Sequence, residues 1–294
     1  MIVLGQQVEI SLERILFATD FTRTAEKAGL YVKAIAEHYG SKVKLVHVVD
    51  LSAAFDAPDA GICIDIFRQY GRDHLDAAKA RFTSSSIESE GILSEGIDPA
   101  HEILRLAKEK SVGLIVTGTR GPGGLGRLAF GSVAEYLIHH AECPVLTVGP
   151  AAQPPAPDGK FQRIVYATDF SSEAARAAVY AMSLARVNGG QVFLCHVLPE
   201  ADRKQHANSE ELTERFAAML QCQVPDIARD WCDPECIVEY GYAADGILLL
   251  AYRVNADLIV LGTRRLSHWF DRLKAGVAFE VVRQATCPVL TVRG

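Results

Sequence analysis

Along the first half of the chain, short and nearly continuous apolar runs alternate with longer helical stretches. The runs ILFAT (Ile15–Thr19), KVKLVHVV (Lys42–Val49), GILSE (Gly91–Glu95), LIVTG (Leu114–Gly118) and VLTV (Val145–Val148) read as strands. Their near-continuous hydrophobicity suits a parallel sheet covered on both faces. Thr22–His38, about Asp65–Ser89, Pro99–Lys110 and Ser132–His140 read as helices. Asp98-Pro99 has the chemistry of a helix start, with Asp at the N-cap and Pro in the first turn. The pattern βαβαβαβαβ, wound with right-handed crossovers, predicts a doubly wound α/β open sheet.

The same pattern then repeats. ILFATDF (Ile15–Phe21) returns as IVYATDF (Ile164–Phe170), LIVTGTR (Leu114–Arg120) as LIVLGTR (Leu258–Arg264), and CPVLTV (Cys143–Val148) as CPVLTV (Cys287–Val292). Three matches in one order indicate a duplication, and the period is long enough for each copy to close its own core. PAAQPPAPDGK (Pro150–Lys160) lies between them, where proline fixes φ and removes donors. The expected organisation is a first domain over 1–149, a linker over 150–160 and a second domain over 161–294.

Composition narrows the classes of function. With 49% hydrophobic and 22% charged residues the chain is globular. A formal charge of −6 and a pI near 5.9 argue against nucleic acid or anionic lipid as main partner, since both need an excess of Lys and Arg. No signal peptide, anchor or membrane-spanning run is read. The 7 scattered cysteines make a poor disulfide framework, so a reducing cytoplasm is the expected location.

In a doubly wound sheet, ligands bind beyond the carboxyl ends of the strands where the winding reverses, here between the first and fourth strands. Asp20 ends the first and Gly118 the fourth. After Gly118 come Gly121, a loop, and Gly131-Ser132 opening a helix, which together would aim backbone N–H donors and a positive helix end at an anion. Ser132 also begins a capping-box spacing with Glu135, so a simple N-cap is the competing reading. A competing reading of Asp20 is a cap on the helix near Thr22. Gly121, Gly123 and Gly126 match G-x-G-x-x-G literally but follow the fourth strand instead of the first, and no Walker A sequence is present.

Gly118, Gly121, Gly131 and Ser132 fit the G-2x-G-9x-G-S/T pattern of nucleotide-binding universal stress proteins, and the chain resembles that family over nearly its whole length. The resemblance implies two tandem five-stranded parallel sheets of order 3-2-1-4-5 with helices on both faces, an adenine nucleotide alpha hydrolase-like fold, and binding of ATP with Mg²⁺ on its phosphates. By position, it implies that Thr19 and Asp20 meet adenine and ribose. It likewise implies that Val48 offers its backbone to the adenine edge, and that Gly118, Arg120, Gly121, Gly131, Ser132 and Val133 line ribose and phosphates. It also implies pairing between the two domains, and a homodimer.

Counting from Gly262 and back from Cys287 sets Arg265 at the Gly121 position, Ala275 at Gly131 and Gly276 at Ser132, with Trp269 and Phe270 in the loop. The second copy is therefore expected not to bind ATP in this manner, although Arg264 and Arg265 suit another anion. His206, Cys222, Cys232 and Cys236 lack the short spacings of zinc modules, so no metal site is assigned. His47 and His196, at matching places in the second strand of each copy, read as satisfied core residues. No Glu, His or Gln is tied to the phosphate loop as a base, so no catalytic residue is assigned. The expected role is a stress-response regulator or signalling protein. A nucleotide-free interaction scaffold and, less favoured, a slow ATPase are the alternatives.

Overall fold

The computed structural model describes residues 12–52, 60–119, 131–205, 209–264 and 276–294. The first unit contains β1 (Arg14–Ala18), α1 (Arg23–Tyr39), β2 (Lys42–Asp50), α2 (Ala60–Thr83), β3 (Ser89–Gly96), α3 (Pro99–Glu109), β4 (Leu114–Gly118), α4 (Ser132–His140) and β5 (Val145–Val148). Its strands lie in the order β3-β2-β1-β4-β5, all parallel. The second unit contains β6 (Arg163–Ala167), α5 (Ser172–Asn188), β7 (Gln191–Leu198), α6 (Glu200–Gln205), α7 (Ser209–Gln221), β8 (Glu235–Tyr240), α8 (Ala243–Arg253), β9 (Leu258–Thr263), α9 (Val277–Gln284) and β10 (Val289–Arg293). Within it the order is β8-β7-β6-β9-β10, again parallel. Of the segment between the copies, Ala151–Gln153 packs with the second unit and Pro154–Lys160 with the first.

The central strands are buried on both faces: Ile15, Leu16, Ile115, Val116 and Leu45 in the first unit, and Ile164, Val165, Leu258 and Val260 in the second, are essentially inaccessible. That burial is why their sequences read as continuous apolar runs without alternation. α1 begins at Thr22, whose hydroxyl accepts from the Ala25 amide, and ends at Gly40 in the left-handed region (φ 67°). α5 repeats both devices with Ser171 and Gly189 (φ 62°). α3 begins as its sequence predicts, with Asp98 accepting from the amides of Ala100 and His101 and Pro99 at the first position.

The second helix departs from expectation. It spans Ala60–Thr83 instead of Asp65–Ser89, and β3 starts at Ser89. Ser84–Ser86 form a tight turn in which Ser85 and Ser86 donate to Phe82 and Thr83, and Ser86 takes a positive φ of 59°. Serine competes well for local hydrogen bonds, so the helix stops where the serines begin.

Candidate functional site

The carboxyl ends of β1 and β4 come level with each other, Ala18 pairing with Thr117 and Gly118 with Val148 on β5. Beyond Ala18 the chain turns sharply. The Thr19 amide still donates to Val46 (2.9 Å), and its hydroxyl accepts from the Phe21 amide (3.1 Å). Asp20 Oδ1 accepts from both the amide (3.0 Å) and the hydroxyl (2.6 Å) of Thr22. Asp20 is thus not the N-cap of α1. It braces Thr22, which is, and its Oδ2 takes no part in holding the turn. Phe21 adopts a φ of 62°, a region a bulky residue occupies only when its surroundings impose it.

The second copy builds the same turn. Phe170 also has φ 62°, Thr168 accepts from its amide (2.9 Å), and Asp169 accepts from the Ser171 amide (3.0 Å). The repeated Thr-Asp-Phe followed by a hydroxyl residue was the available signal for this device, whose strained phenylalanine and capping residue sequence reasoning passed over.

His47 lies beneath the turn, its Nδ1–H donating to the Thr19 carbonyl (2.9 Å) and its ring 4.5 Å from that of Phe21. Burial pushes its pKa below the ordinary histidine value, against the opposing effects of the Thr19 bond and Asp20. His196 makes the matching bond to Thr168 (2.8 Å), so both histidines are structural members of the turn. Val48 pairs with Ser94 on β3. Because alternate residues of a strand direct their backbone groups to opposite sides, Val48 presents its N–H and C=O to the same side as the Val46 carbonyl. There β1 has already ended.

Gly118 is glycine for a reason the sequence did not reveal. A Cβ built on it would lie 2.8 Å from the Thr24 carbonyl carbon and 2.9 Å from the Ala25 amide, both backbone atoms of the first turn of α1. At Gly262 the corresponding distances to Glu173 and Ala174 are 2.5 Å. Both glycines let a helix start close over a strand end, and this packing explains why the second copy keeps its glycine.

The start of α4 corrects the capping-box reading. Its N-cap is Gly131, whose carbonyl accepts from the Glu135 amide (3.0 Å), while Ser132 is the first helical residue. The spacing Ser-x-x-Glu occurs here one position inside the helix, where the serine hydroxyl is past the cap. Gly131 spends its own amide on Thr119 (2.6 Å), which leaves Ser132 and Val133 as first-turn donors without intrahelical acceptors. Arg120 and Gly121 lie outside the described residues, as do the loop between them and Gly131, Arg265, Trp269, Phe270, Ala275 and His206.

In the second unit the equivalent helix begins one residue later than counting suggests. Gly276, at the counted position of Ser132, is the N-cap of α9, and Val277, at the counted position of Val133, is its first helical residue. Asp169 is paired here with Arg264 (3.5 Å), which also approaches Glu173 (4.0 Å). Burial raises the Asp169 pKa, but the bonds from Ser171 together with Arg264 outweigh it and hold the carboxyl below its usual range.

Other reactive groups lie apart. All cysteines are free thiols; burial pushes Cys143 up to about 11 and Cys195 and Cys287 up to about 12, which keeps them protonated at neutral pH. Among the described residues no group of three or more His, Cys, Asp or Glu converges as a metal site would require, and no helix is long and apolar enough to cross a membrane.

Comparison with known proteins accords with this architecture. The profile of the universal stress protein family matches residues 11–149 and again 160–293. A universal stress protein of Methanocaldococcus jannaschii is 32% identical over 139 residues, 46% of this chain and 81% of that protein. One of Mycolicibacterium smegmatis is 23% identical over 293 residues, covering 95% of this chain and 96% of its own. The crystal structure of a universal stress protein from Archaeoglobus fulgidus superposes with a TM-score of 0.74 at 22% identity, over 96% of this chain and 99% of that one, a likeness of fold. With two tandem domains of adenine nucleotide alpha hydrolase-like fold, the chain belongs to the universal stress protein family.

Proposed function

We propose that the first unit binds an adenine nucleotide, ATP with Mg²⁺, between the carboxyl ends of β1 and β4, and that the protein acts as a nucleotide-responsive regulator. The observation that carries this reading is the start of α4. The amides of Ser132 and Val133 open the helix beside the ends of β4 and β5, where a positive helix terminus favours phosphate. Val48 supplies a backbone edge for the base, and the Oδ2 of Asp20, uninvolved in its turn, suits a ribose hydroxyl. Mg²⁺ would be held mainly by phosphate oxygens and water, neutralising charge there.

Regulation is favoured over catalysis because the described titratable groups of this crevice are engaged in structure. Asp20 braces Thr22, and His47 is fixed on Thr19. The second unit supports a different role for its crevice: Arg264 pairs with the aspartate, and Gly276 stands where the first unit has Ser132.

Titration calorimetry with ATP and Mg²⁺ on wild type and Ser132→Asp tests the proposal. A carboxylate at the first helical position complements the helix dipole, so the variant should fold at least as stably, yet it repels phosphate. The expected result is binding by wild type and a loss of at least about tenfold in the variant, the equivalent of roughly 1.4 kcal/mol. No binding by wild type, or equal affinity in both, would refute this site.

A further inference from the structure

The duplication provides a comparison that fold requirements alone do not explain. α3 and α8 have the same length and corresponding boundaries, Pro99–Glu109 and Ala243–Arg253, and both are followed by a left-handed residue, Ser111 and Asn255. The inward positions are alike: Ala100, Ile103, Leu106 and Ala107 against Ala244, Ile247, Leu250 and Ala251. The outward positions are not. Asp98, Arg105 and Lys108 become Tyr242, Leu249 and Tyr252, which are 81%, 54% and 73% exposed.

In α3 this outer face is a solvated one, with Arg105 bridging Glu102 and Glu109. In α8 the N-cap position is Tyr242, which makes no side-chain cap bond, whereas Asp98 makes two. A folding asset has been exchanged for an exposed aromatic ring. Tyr242, Asp245, Leu249, Tyr252 and Arg253 fall within about 100° of arc on the helix, and the tyrosines and arginine are the residue types that anchor interfaces.

We propose that α8 is a self-association surface through which two copies of this chain pair antiparallel about a twofold axis at Leu249. The charge pattern selects this occupant. Asp245 lies four residues before Leu249 and Arg253 four after it. Antiparallel pairing therefore sets each Asp245 against Arg253 of the second copy, twice. Glu239 engages one terminal nitrogen of Arg253 (2.7 Å), leaving the rest of the guanidinium fork for Asp245. Such a contact is isologous, as a closed dimer requires. A single helix face lies at the low end of interface sizes, so the association is expected in the roughly micromolar range.

Sedimentation of the full chain between about 1 and about 200 µM tests the pairing. Wild type should show a monomer–dimer equilibrium. Leu249→Arg, which restores the residue type of the first copy, and Asp245→Arg should each weaken it at least about tenfold. Thermal melts check that both variants stay folded. Arg253→Glu should likewise dissociate, yet mixing it with Asp245→Arg should recover dimers, because every surplus charge then meets its opposite. A wild type monomeric throughout, a dimer indifferent to Leu249→Arg, or a mixture that fails to recover would each overturn the proposal. So would a different protein occupying this face while the chain itself stays monomeric.

Discussion

Replacing Gly118 by alanine separates two roles for one glycine, contact with a ligand and contact with a helix. The new Cβ would stand 2.8 Å from the carbonyl carbon of Thr24, 2.9 Å from the amide of Ala25 and 3.1 Å from the oxygen of Thr24. Ordinary contacts at a Cβ begin near 3.4 Å, so α1 must retreat by roughly half an ångström, and backbone cannot swing aside as a side chain does. Overpacking of this kind costs about 1–3 kcal/mol. Gly118 does not have a positive φ, so alanine recovers about 0.4–1 kcal/mol by restricting the unfolded chain. The net loss is about 1–2 kcal/mol, or a fall in melting temperature of about 2–8 °C for a unit of this size. Gly262→Ala meets atoms at 2.5 Å and should cost more. Calorimetric unfolding of both variants without nucleotide reads these losses directly. A Gly118→Ala protein as stable as wild type, or a Gly262→Ala protein less affected than Gly118→Ala, would refute the packing argument. If stability were kept while ATP binding vanished, the glycine would be serving the ligand.

Two further outcomes follow from local chemistry. Asp98→Ala removes the one side-chain oxygen that caps two first-turn amides of α3 and should cost about 1 kcal/mol in urea unfolding, while Tyr242→Ala in the second unit, where no cap bond exists, should cost much less. His47 has a folded pKa lowered by burial below its unfolded value near 6.5, so the folded state favours its neutral form. Its contribution is therefore complete above pH 6.5 and is lost as pH falls through the folded pKa, by at most about 1.4 kcal/mol per pH unit. Stability measured between pH 7 and 5 should fall in wild type, and should fall less in His47→Asn, which retains a donor for Thr19.

Elements set by local chemistry could be read from the sequence. Asp98-Pro99 carries its cap within three residues, and the buried central strands announce themselves as runs such as Leu114–Gly118. The duplication was equally plain, because ATDF, LIV-x-GTR and CPVLTV recur in order. What could not be read depends on contacts between distant residues or on the exact turn at which a helix begins. The tight neighbours of Gly118 are Thr24 and Ala25, far away in sequence, so its packing role was not visible there. The N-caps of α4 and α9 fall on Gly131 and Gly276, which equal spacing cannot show, since it does not say whether a glycine or its neighbour holds the cap. Asp20, for which a cap was the competing reading, supports the cap Thr22 instead.

The Thr19–Thr22 turn has a consequence for affinity. Its hydrogen bonds, its left-handed phenylalanine and the histidine beneath it all form from the chain's own groups. A wall assembled during folding has little conformational freedom left to surrender when a small molecule arrives, so its contribution to association is not eroded by ordering. The duplicate at Thr168–Ser171 is built from its own groups in the same way. A crevice of this design loses recognition one donor at a time without losing its shape, and substitutions confined to the opposite wall are enough to retune it.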